Sequence, residues 1–62
     1  MRFEVWFNNG LFRGFPNVKE ESIKRSEDFI SFVFGKEQNH RADINIRNIN
    51  FMEAMKDSEE ES

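Results

Sequence analysis

His40 is the only histidine of the 62-residue chain, and it stands beside Arg41 with Glu37 and Asp43 nearby in sequence. Nucleophilic catalysis would need it paired with a hydroxyl and an orienting acid. A metal site would need two or three such ligands at fixed spacing. Neither pattern is present, so His40 reads as an exposed loop histidine. Glu4, Asp43 and Glu53 are the carboxylates that paired acid–base chemistry would draw on. Their spacing does not join them, and a chain this short leaves little concave volume for a substrate. Gly10, Gly14 and Gly35 match neither the phosphate-binding loop nor the dinucleotide fingerprint. The absence of cysteine excludes a thiolate nucleophile, a disulfide scaffold and a cysteine-ligated metal. No catalytic residue, metal ligand or cofactor is expected, and the expectation is a protein without enzymatic activity.

Arginines near aromatic residues offer a different chemistry. A sheet face can hold bases by stacking and phosphates by charge. Arg2, Trp6, Phe12, Arg13 and Arg47 form the candidate ligand-binding set, for a nucleotide or a single strand; Lys24, Arg25 and Arg41 are further cations. Duplex DNA is argued against by charge. Residues 1–56 hold nine Lys/Arg against eight Asp/Glu, a net of +1, without the basic excess a duplex footprint needs. The remaining residues, 57–62, carry four acids and no base, which makes the whole chain −3. Such a run has no apolar residue to offset its ordering entropy, so it reads as a disordered acidic tail behind a single domain over 1–56.

The elements that must position these residues are strands. Residues 2–7 alternate in hydropathy, Asn8-Asn9-Gly10 interrupts, and alternation resumes from Leu11. A three-residue loop sets Phe7 against Leu11, Val5 against Arg13 and Phe3 against Phe15. It gathers Phe3, Val5, Phe7, Leu11 and Phe15 on one face, and Trp6, Phe12 and Arg2 on the other. A two-residue Asn9-Gly10 loop would instead set Phe7 against Phe12, with Arg13 changing face. Pro16 ends the second strand or confines it to an edge. Residues 19–28 carry one apolar residue, Ile23, and read as a short strand over 22–26 in preference to a helix. Phe29–Phe34 is aromatic and β-branched, a strand by composition. Ala42, Ile44 and Ile46 alternate with polar neighbours, and the parity changes at Ile49 and Phe51, which predicts a bulge, a bend or a strand end near Arg47-Asn48. Phe51, Met52 and Met55 are spaced to close with one helical turn. Together these predict an all-β domain: a small antiparallel meander of four to five strands, curled or closed as an SH3-like or Sm-like barrel, with a short C-terminal helical turn.

Phe29–Phe34 is apolar on both faces, with Ile30, Phe32 and Phe34 on one and Phe29 and Val33 on the other. A lone small antiparallel sheet normally turns one face to water. Eight Phe and no Tyr also suit dry contacts. A homo-oligomer is therefore expected, with these five residues at an oligomer or partner interface. The alternation starting at Phe3 does not match a signal peptide, and no run approaches a membrane span, so a cytoplasmic location without membrane association is expected.

In style the chain resembles the short β-rich accessory proteins of phages and prophages of Gram-positive bacteria. The segments carrying that resemblance are Met1-Arg2-Phe3-Glu4-Val5 with Asn9-Gly10, residues 26–32, and residues 44–51 before an acidic end. The resemblance implies a non-catalytic role: inhibition of a host immune protein by direct binding. The alternatives are sequestering a nucleotide signal as an oligomer, or a structural accessory subunit.

Overall fold

The computed structural model describes residues 1–56; the expected acidic tail, 57–62, lies outside the described residues. The protein is all-β. Its strands are β1 (Arg2–Phe7), β2 (Phe12–Phe15), β3 (Lys24–Arg25), β4 (Phe29–Phe34), β5 (His40–Asn45) and β6 (Ile49–Met55). They form two antiparallel three-stranded sheets, ordered β2-β1-β6 and β3-β4-β5, and neither closes on itself. Among the described residues there are six strands, more than the four to five expected, because residues 49–55, expected to close with a helical turn, form β6.

The first hairpin follows the three-residue register. Phe3 faces Phe15, Val5 faces Arg13 and Trp6 faces Phe12. The Phe7 amide donates to Leu11 at 2.8 Å and the Gly10 amide to Phe7 at 3.0 Å. Gly10 lies at φ +91°, where a side chain would be strained, so this position needs glycine. Segment 16–19 then passes between the sheets and fastens to both. The Val18 amide donates to the Met1 carbonyl, the Lys19 amide to Val33, and the Gly35 amide to Pro16. Residues 19–28 are mixed: a 3-10 turn, Glu20–Ser22, precedes β3, and a Ser26 turn leads into β4.

The C-terminal segment departs from the expected helical turn. The helical turn falls earlier, as a 3-10 turn at Ile46–Asn48 whose start is capped by Asn45, which accepts from the Arg47 amide at 2.9 Å. Phe51, Met52 and Met55 belong to a strand, because residues 49–55 pair along β1 from Phe7 back to Arg2. The parity change at Ile49 has two causes. β5 ends at Asn45, and β6 carries a bulge: Ile49 faces Phe7 and Phe51 faces Trp6, which leaves Asn50 as the extra residue.

The core lies between the sheets. Phe3, Val5, Phe15, Val18, Phe32 and Ile44 are buried, with Phe7, Ile30, Phe34, Ile49 and Met52 packed against them. The ring of Phe32 meets Phe3 at 4.8 Å and Phe15 at 5.2 Å, both nearly perpendicular. Phe15 meets Phe34 in the same way at 5.0 Å. This edge-to-face network corrects part of the interface expected on β4. Phe32 is only 1% exposed and belongs to the chain's own core, and Ile30 and Phe34 turn the same way. The opposing sheet covers this one face of the strand. Phe29, at 48% exposed, and half-buried Val33 are left on the outer side.

Candidate functional site: the outer face of the β2-β1-β6 sheet

Odd-numbered residues of β1 point into the core, so Arg2, Glu4 and Trp6 share the outer face. Cross-strand register adds Phe12 and Gly14 from β2, and Phe51, Glu53 and Met55 from β6. Trp6 therefore sits between two phenylalanines. Its ring is 5.0 Å from Phe12 and 5.2 Å from Phe51, at interplanar angles of 47° and 49°. The flanking rings remain open to solvent, Phe12 at 49% and Phe51 at 55%. A row of three aromatics crosses the sheet with no part of the described chain above it.

The next row holds charge. Glu4 lies directly opposite Glu53. Arg2 binds Glu4 through Nε at 3.0 Å, and its guanidinium lies over Gly14, in space that a Cβ there would occupy. Glu53 makes no ion pair among the described residues. The outer face thus carries two carboxylates and one cation.

Of the sequence-predicted ligand set, the fold brings Arg2, Trp6 and Phe12 onto this face and separates the other two. Arg13 faces the opposite side, its guanidinium 5.2 Å from the Phe15 ring centre. It lines a cleft of about 500 Å³ at the hairpin tip, with Phe7, Leu11, Phe12 and Asn48. Arg47 lies in the 3-10 turn before β6 and is 3.9 Å from Asp28. Its carbonyl accepts from the Asn8 side chain at 2.7 Å, which ties the hairpin tip to that turn.

Sequence reasoning missed Phe51, the third ring. Its signal was the parity change at Ile49; read as a bulged strand, the segment sends Ile49 inward and Phe51 outward. Of the three carboxylates considered for acid–base work, Glu4 and Glu53 meet across strands, whereas Asp43 lies on the other sheet and pairs with Arg41 at 3.3 Å. His40 stacks on Phe34 at 5.4 Å and packs beside Gly35. Among the described residues no group of three or more His, Asp or Glu is placed to hold a metal, and no helix is long and apolar enough to cross a membrane.

No known protein family, curated protein or solved structure matches this chain.

Proposed function

We propose that this protein is a non-catalytic binding protein that captures a protein partner on the outer face of the β2-β1-β6 sheet, in the anti-defence manner of a phage accessory protein blocking a host immune protein. The capture reading is carried by one observation: Phe12, Trp6 and Phe51 form an aromatic row whose outer rings stay half exposed. Aromatic side chains of this kind anchor protein interfaces. Local charge supports a protein over a nucleotide on this face. A phosphate would meet two carboxylates and a single arginine already engaged by Glu4. The anti-defence role is carried by the sequence resemblance.

Self-assembly is the second reading, favoured by Phe29, which stands exposed on the outer side of the other sheet. Native mass spectrometry separates these readings: a bare monomer counts against self-assembly, and co-purified extra mass would favour a small ligand. Capture is tested by using the chain and its Phe51→Ser variant as baits in bacterial host extract. A host protein retained at one-to-one stoichiometry by the chain and lost with the variant is the expected result. Identical proteins on both baits would overturn the reading.

A further inference from the structure

The charged row beside the aromatics bears on what the partner must bring. Like charges directly opposite on adjacent strands repel each other. Glu4 and Glu53 are such a pair, and Arg2 offsets only one of them. The face accommodates this while water covers it. A segment seated on Trp6 and Phe51 would remove that water, because Glu4 is two residues from Trp6 along β1, and Glu53 is two residues from Phe51 along β6. Same-face neighbours on a strand lie about 7 Å apart. An apolar segment covering the rings would therefore desolvate a carboxylate with no counter-charge, which is strongly unfavourable.

We propose that the captured segment carries a lysine or arginine whose charged end sits between Glu4 and Glu53 while its stem lies along Trp6 and Phe51. The proposal rests on the capture reading and specifies the partner's chemistry. Charge complementarity selects this occupant: two carboxylates and one arginine leave one negative charge for the partner to neutralise. The geometry suits it as well. A lysine or arginine stem spans the distance from the ring row to the carboxylate row, and a cation is attracted to an aromatic face.

The test is selection of random displayed peptides on the immobilised full chain, with removal of every peptide that still binds Phe51→Ser. Phe51 is exposed, so that variant keeps the core intact. The expected survivors are enriched in lysine and arginine. Their affinity falls about tenfold or more on Glu53→Gln, and falls as salt rises. A repeat with Glu4→Gln covers the case in which Arg2 reorganises. Survivors without basic residues, or survivors that bind Glu53→Gln equally well, would overturn the cation and leave capture standing. If no peptide depends on Phe51, the capture reading falls, and this inference falls with it. Sedimentation of the free chain gives the remaining outcome: self-association abolished by Phe51→Ser would make a second copy the occupant and overturn the proposal.

Discussion

Two aromatic clusters share β1 and β2 and differ in what lies above them. On the inner side, Phe3 and Phe15 pack edge to face against Phe32 and Phe34 of the second sheet. On the outer side, Phe12, Trp6 and Phe51 pack at closely similar ring separations, with no described part of the chain over them. Ring geometry alone therefore does not separate a core from a binding face. Burial does, together with the neighbouring row: the inner rings have Val5 and Ile44 beside them, and the outer rings have Glu4 and Glu53.

The largest effect should come from the inner cluster. Phe32→Ala empties a site at the centre of the ring network and should cost about 3–5 kcal/mol. A small core without disulfides supplies roughly that much stability. Denaturant titration should therefore find the variant largely unfolded, and a cooperative transition near that of the parent would refute the division between the clusters. Next comes the outer row. Phe51→Ala should cost only about 0.5–1.5 kcal/mol, the contribution of one aromatic pair, while removing partner capture. A loss as large as that of Phe32→Ala would make the outer row a second core. Smallest is Glu53→Gln, which should stabilise the free chain by about 0.2–1 kcal/mol through relief of cross-strand repulsion. The same substitution should weaken capture, and opposite signs in thermal melting and in binding would mark Glu53 as serving the partner rather than the fold.

The hairpin was legible in the sequence because its information is local. Asn8-Asn9-Gly10 and the alternation on either side narrow the register to two, and the three-residue one that forms places Arg2, Trp6 and Phe12 together. β6 was not legible as a strand, because its partner is remote: Met55 pairs with Arg2. Phe51, Met52 and Met55, read alone, have the spacing of a helical turn, and only pairing along β1 overrides it. The same non-locality hid the third ring and the Glu4–Glu53 contact. β4 posed the converse difficulty. Its apolar character on both faces was plain, but whether Phe32 would meet its own chain or another depended on the opposing sheet. Arg13 and Arg47 match the chemistry of the candidate set by residue type, and the fold points them elsewhere.

The bulge at Asn50 makes β6 a strand in two phases. Residues before it keep one inside–outside frame and residues after it keep the other, so a single residue acts as a phase shifter between core and surface. Were Asn50 to pair with Trp6 while Ile49 stays docked beside Phe7, everything downstream would invert: Phe51 and Glu53 would turn inward, and Met52 and Ala54 outward. The aromatic row and its charged neighbour would vanish together through the regular pairing of a residue that belongs to neither. The composition of the face is thus written in side chains, but its existence depends on which residue the ladder skips.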